Sequence, residues 1–326
     1  MSRRNHLRVS IAILMTLLLL VSCRAFRRPE QGPASGAPAI PKAIAKGARQ
    51  EPTLKVYIKD TKQVKTMPFE EYITGVVAAE MDPKWPLEAL AAQAILARTF
   101  TLEKIAREGG VPNRNAHAST DTEEFQAYDA SRINSNVREA VRVTRGKVAA
   151  YNGNYILAWF HANSGGKTAT AAEGLSFEKV PTPYIVSVDD PISLEAAPAK
   201  DRAWTATFSK AEVTQALQKM GQKPGKFTDI KIVEKGNSGR ALKLGIGNAT
   251  VSAPEFRLAM GSTKLKSTLI DSITVSGNNI TFKGKGYGHG VGMSQWGAKG
   301  RSEQGAKAED IIKTYFRGIN IYKIWD

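Results

Sequence analysis

Cysteine is almost absent from this 326-residue chain, and its single instance, Cys23, rules out a disulfide framework. Histidine is nearly as scarce. The four present show no His-Glu-x-x-His spacing, so with one cysteine no zinc site of the usual kind is expected, and no cofactor is expected. Neither Ser164 nor Ser294 sits in a G-x-S-x-G elbow, which removes the common serine-hydrolase arrangement. Acidic residues are outnumbered, 30 against 46 basic ones, giving a formal charge of +16. That surplus points to an anionic partner or surface. Nucleic acid is not expected, because no basic stretch is interleaved with aromatics and no nucleic-acid motif occurs.

Long apolar runs are missing too, and the longest stands at the amino terminus. Arg3, Arg4 and Arg8 precede an apolar run from Ile11 to Val21, which closes on Leu20-Val21-Ser22-Cys23. A bilayer span needs about 20 apolar residues, so the run fits a cleaved export signal over 1–22. Its end resembles the lipobox of bacterial lipoproteins, which implies acylation at Cys23. The other reading is a signal left uncleaved as an anchor. Both place the rest of the chain outside the cytoplasm, at the outer face of the cell membrane. Without the three signal arginines the charge is still +13, suited to wall polymers or anionic lipid headgroups.

From residue 23 to 52 the chain is rich in Pro, Ala, Gly, Arg and Lys without helical or strand period, and a disordered tether is expected. Over 24–50 it would reach roughly 30 Å. The remaining 53–326 suits one domain, with a smaller inserted or second lobe at about 200–270.

Periodicity gives that domain an α+β character. Leu54, Val56 and Ile58 alternate as a strand, and Pro68, Glu70 and Glu71 open a helix that Asp82-Pro83 ends. A second helix runs from Pro86 to the Gly109-Gly110 stop. Asn152-Gly153 marks a hairpin between Lys147 and Phe160. Trp204–Phe208 reads as a strand, Ser209 with Glu212 as a capping box, and Ser252 with Glu255 repeats that spacing. Further strands are expected at 230–233, 241–246 and 273–282, then a helix carrying Ile311, Ile312, Tyr315 and Phe316, and a last strand at 321–325. The order of elements implies mixed or antiparallel sheets with packed helices rather than βαβ units.

Three segments are rich in residues poor at plain packing: EYITGVVAAEMDPKWPLEALAAQAILARTF, FHANSGGKT and GYGHGVGMSQWGAKG. With DTEEFQAY at Asp121–Tyr128, they resemble the signature segments of the stage II sporulation protein D family, whose relatives include amidase enhancers. The resemblance spans roughly Leu54–Trp325 and thins across the middle lobe. It implies a lytic transglycosylase that cuts peptidoglycan glycan strands stripped of stem peptides, in sporulation engulfment or wall remodelling, beside a wall amidase. The alternative it implies is a noncatalytic glycan-binding enhancer of an amidase.

By that resemblance Glu80 matches the catalytic acid. Its expected place at the negative end of a helix, with Asp82 nearby, would raise its pKa as a general acid requires. One carboxyl suffices for an internal attack that leaves an anhydro end, whereas ordinary glycosidases use two, about 5 to 10 Å apart. Asp82 and Glu88 stand near enough in sequence to be considered. Arg98 fits a substrate contact or a structural ion pair equally well. His161, Ser164 and Gly165, with Asn163 and Gly166, form a polar exit from a strand suited to a sugar chain or to a tight turn. Tyr287, His289 and Gln295 are groove candidates, and Trp296 fits a sugar platform or core packing. Some members of the family bind zinc through His and Cys near DTEEFQAY. This chain keeps His117 there but has no cysteine, and Asp121, Glu123 and Glu124 suit loop capping or a weak cation site.

Overall fold

The computed structural model describes residues 36–326. The export segment and Cys23 lie outside these residues. The chain ahead of Pro52 is packed rather than loose from about residue 38 onward. Ile44 is buried in the main core with Ile40 against it, Tyr155 donates to the Ala39 carbonyl at 3.1 Å, and Arg49 pairs with Asp326 at 2.8 Å. The expectation of a tether to residue 52 is corrected for this stretch: its few apolar and charged groups find partners brought close only by folding.

Strand β1 (Thr53–Ile58) pairs with β2 (Gln63–Pro68) antiparallel and with β3 (Ala118–Ser119) parallel. Pro68 then leads into α1 (Phe69–Glu80), whose first-turn amide at Glu70 is capped by Glu51 Oε1 at 2.8 Å. Helix α2 (Leu87–Glu108) is buried through most of its middle and stops at Gly109 with φ 77°, the left-handed turn that glycine accepts without strain. Helix α3 (Ser135–Val143), not anticipated from periodicity, starts where Asn134 Oδ1 accepts from Val137 N and buries Val137, Ala140 and Val141. Strands β4 (Lys147–Tyr151) and β5 (Asn154–Tyr155) form the hairpin at Asn152-Gly153, both with positive φ. Next come β6 (Phe160–His161), β7 (Gly166–Lys167), α4 (Ala171–Leu175), β8 (Asp189–Asp190), α5 (Ile192–Ala196) and α6 (Ala199–Arg202).

A second hydrophobic core follows, built on Trp204, Phe208, Leu217, Leu244, Phe256 and Phe282 among others. It is made by β9 (Ala203–Ser209), α7 (Lys210–Lys219), the antiparallel sheet β10 (Ile230–Lys235), β11 (Ala241–Ile246) and β12 (Ala249–Ser252), then α8 (Ala253–Ala259), β13 (Ile270–Ser276) and β14 (Asn279–Lys285). Ser209 and Glu212 form the reciprocal capping box at α7. Strand β14 returns beside β9, pairing Ala203 with Lys285, so this lobe starts and finishes at one point. It runs past residue 270, to 285, because the hairpin of β13 and β14 closes its sheet. The chain ends with β15 (Met293–Ser294), α9 (Gln295–Glu303), α10 (Ala308–Tyr315) and β16 (Asn320–Lys323), all returned to the main core. The architecture is α+β, with small, mostly antiparallel sheets and packed helices.

Candidate active-site cleft

Glu80 is the last residue of α1, and the chain turns sharply after it. Met81 is extended at φ −124° and ψ 162°, and Asp82 turns back to accept from the Lys84 amide at 2.9 Å. Two neighbours hold this end. Arg132 donates to the carbonyls of Ala79 and Met81, at 3.0 and 3.3 Å, which neutralises the negative end of the helix. The amide of Ala127 donates to Glu80 Oε1 at 2.8 Å. Ala127 belongs to the DTEEFQAY segment, which lies along α1 because residue 75 has no side chain. A Cβ there would collide with the Tyr128 ring, and Asp129 N donates to the Gly75 carbonyl at 3.0 Å.

Burial drives the Glu80 carboxyl up to about 7. The Ala127 amide opposes the shift by binding the ionised form, and the Gln295 amide beside it acts in the same sense, although Gln295 Nε2 makes no hydrogen bond of ordinary geometry. The helix-end field and Asp82, expected to be the cause, are therefore secondary to desolvation.

The carboxyl opens on a cleft of about 320 Å³ between the two hydrophobic cores. One side comes from Met81, Asp82, Trp85 and Arg132 of the main lobe. The other comes from Asp201, Ala203, Trp204 and Lys266, with Asn163, Tyr287, Gln295 and Trp296 between them. Trp85 and Trp296 lie against each other, centroids 4.6 Å apart and tilted by 51°. Trp296 is thus both packed and half-exposed to the cleft.

Local hydrogen bonds bring the late segments here. Strand β15 pairs parallel with β6, Asn163 and Tyr287 exchange backbone bonds at 3.0 and 2.8 Å, and Trp296 N donates to the Ala162 carbonyl at 3.0 Å. The alternating glycines let these strips pass closely: Gly290 lies at φ 82°, where a side chain would strike the Arg240 guanidinium.

Of the residues expected at the site, Glu80, Asn163, Tyr287, Gln295 and Trp296 share this cleft. His161, Ser164, Gly165, His289 and Arg98 do not line it, which corrects their expected position there. His161 and His289 sit with ring centroids 5.6 Å apart, and burial lowers both, His289 to about 3. Neutral rings suit that setting, with His161 buried and His289 half-buried: His161 Nδ1 lies 3.1 Å from the Val291 carbonyl, while His289 Nδ1 accepts from Val291 N at 3.0 Å. Ser164 donates to Asp190 Oδ2 at 2.9 Å and shares a 2.6 Å bond with Ser193, inside a network that also takes in Tyr315 and Arg301. Gly165 provides a left-handed turn at φ 73° against Gly286.

Arg98 is fully buried. It meets Glu70 with two bonds, at 2.6 and 3.0 Å, and donates to the Lys147 carbonyl at 2.8 Å, while Glu70 also accepts from Trp325 Nε1. This is an ion pair that ties both long helices to β4 and the carboxyl terminus. Glu88 caps α10 through Ala308 N at 2.9 Å and does not line the cleft. Near DTEEFQAY, His117 Nδ1 accepts from Lys55 N, Asp121 pairs with Lys59 at 2.8 Å and Glu124 with Arg114 at 2.9 Å. Those acids are spent on the loop itself. The Ala127 amide and Arg132 were missed because a backbone donor carries no residue signal and Arg132 lies outside the conspicuous segments.

The family profile described as Stage II sporulation protein matches residues 57–151, and a domain of unknown function matches 195–292, around the second lobe. The stage II sporulation protein D of Bacillus amyloliquefaciens is 33% identical over 296 residues, covering 85% of this chain and 82% of that protein. The same protein of Bacillus subtilis is 31% identical over 282 residues, covering 82% and 78%. An amidase enhancer of Bacillus subtilis is 30% identical over 303 residues, covering 76% of this chain and 40% of its own length.

Proposed function

The chain belongs to the stage II sporulation protein D family, and from that premise we propose that it is a cell-wall protein whose cleft cuts peptidoglycan glycan strands as a lytic transglycosylase. The observation that carries this reading is Glu80: a half-buried carboxyl raised to about 7 opens on a cleft that also presents Trp85, Trp204, Tyr287 and Trp296. A carboxyl poised near neutrality holds enough proton to act as acid and, once ionised, remains a competent base.

In the proposed reaction, Glu80 protonates the oxygen between muramic acid and glucosamine. The bond from that oxygen to the muramic anomeric carbon breaks, and the glucosamine side leaves as an alcohol. The muramic 6-hydroxyl then attacks the same carbon and returns its proton to Glu80, leaving a 1,6-anhydro end and the enzyme as it began. The Ala127 amide, already 2.8 Å from Oε1, steadies the carboxylate between the two transfers. Trp85, Trp296 and Tyr287 offer faces for the apolar sides of sugar rings. Peptide-stripped strands are the proposed substrate, with a wall amidase as the partner that prepares them. Acylation of Cys23 would hold the protein to the outer face of the membrane.

The similarity to an amidase enhancer favours a second reading, in which the same cleft binds glycan without cutting it and recruits an amidase. One experiment separates the two. The protein is incubated with intact and amidase-stripped peptidoglycan, beside Glu80→Gln, and the products are analysed by mass spectrometry. Anhydro-ended fragments from stripped strands, absent with the variant, support the transglycosylase. No cleavage of either substrate, with stimulation of an added amidase, supports the enhancer.

A further inference from the structure

Among the described residues, Lys266 lines the cleft without an acidic partner. Lys266 belongs to the second lobe, in the turn before β13, and its half-buried side chain lines the same cleft as Glu80. Its Nζ lies over Tyr287, 5.3 Å from the ring centroid, and makes no ion pair among the described residues. The two aspartates that line the cleft, Asp82 and Asp201, both leave it unpaired at the 4 Å limit. The backbone beneath it is fixed. The Lys266 carbonyl accepts from Gly288 N at 2.9 Å and from Arg257 Nε at 3.0 Å, and the next residue, Ser267, donates to the Lys285 carbonyl at 2.5 Å. A pinned main chain therefore carries an unpaired ammonium held against an aromatic face. By contrast the guanidinium of Arg132, across the cleft, is already committed to two helix carbonyls.

We propose that Lys266 is a specificity residue that reads the free lactyl carboxylate of muramic acid. The inference rests on the glycan-strand reading of the cleft. In such a strand the repeating disaccharide has one ionisable group, the lactyl carboxyl. It is a carboxylate when the stem peptide has been removed and a neutral amide when the peptide is attached. At the lactyl position an ammonium without a partner gains an ion pair from the first form and none from the second, so this lysine favours stripped strands by the charge at that position.

The test uses full-length protein carrying Glu80→Gln, so that strands are bound without being cut. The probes are peptide-free glycan strands and the same strands with their lactyl carboxylates converted to methylamides. By calorimetry the carboxylate strands should bind about tenfold more tightly, the factor for one charge-assisted bond of modest strength. Adding Lys266→Gln should erase that preference while leaving affinity for the amide strands unchanged, and adding Lys266→Arg should keep the preference. A preference that survives Lys266→Gln, or that is absent from the parent, overturns the proposal. Turnover by the wild-type protein is read separately. Absence of anhydro products with the binding preference intact would sink the transglycosylase reading and leave Lys266 standing, whereas anhydro products without the preference would do the reverse.

Discussion

Replacing Glu80 by glutamine should make the folded protein more stable, and increasingly so as pH rises. A glutamate in the unfolded chain titrates near 4.5, whereas burial lifts this one to about 7 in the folded chain. The folded state thus holds the proton more tightly. Its stability is greatest below 4.5, declines as pH rises from there to about 7, and is level above. At 1.36 kcal/mol per unit, the gap corresponds to about 3 kcal/mol of stability lost by alkaline pH. Glutamine has no proton to lose and keeps a carbonyl oxygen for the Ala127 amide, so it escapes that loss. For a domain of this size, the variant should melt roughly 5 to 10 °C above wild type at pH 8.5 and within about 2 °C of it at pH 4.5. Scanning calorimetry of both proteins across that range reads the difference directly. A melting difference that is the same at both pH values, or a variant less stable at pH 8.5, would refute the assignment of a carboxyl raised by desolvation.

Other outcomes follow from the same geometry. Cleavage of stripped strands, followed as kcat/KM, should fall as pH rises above about 7, where Glu80 loses its proton; a flat profile to pH 9 would remove it as the acid. Gly75→Ala should cost about 1 to 3 kcal/mol in urea unfolding by pushing on Tyr128, and, by loosening the Ala127 amide, should move the pH of that decline upward. Arg98→Met should cost about 3 to 5 kcal/mol because it leaves Glu70 buried without its cation, and the double change with Glu70→Gln should recover much of that. Equal stability, with weakened strand binding instead, would return Arg98 to the substrate. Cys23→Ser should shift the protein from the membrane to the soluble fraction of fractionated cells, and unchanged partitioning would argue against acylation.

Much of the scaffold was legible because its signals are local. The two long helices begin after prolines and stop at Asp82-Pro83 and Gly109, and Asn152-Gly153 carries the positive φ pair that a tight hairpin needs. Glu80 was legible as the end of a helix, but the cause of its raised pKa was not, since burial depends on residues far along the chain. The same limit explains Arg98, whose partner is 28 residues away, and the stretch before Pro52, whose Arg49 meets Asp326 across 277 residues. His161, Ser164 and His289 had the composition of a site. They are instead the polar joint that lets two glycine-bearing strips lie side by side, a use of polar residues that composition alone does not distinguish from catalysis.

The pairing of Ala203 with Lys285 makes the chain's entry into the second lobe and its exit hydrogen-bonded neighbours. An element joined in this way can lengthen, shorten or be exchanged between relatives while the frame that holds Glu80 keeps its register. Under the proposed function, chemistry and selectivity can therefore evolve at different rates in one protein: Glu80 stays with the main core, and the opposite wall of the cleft is free to change with the glycan it meets.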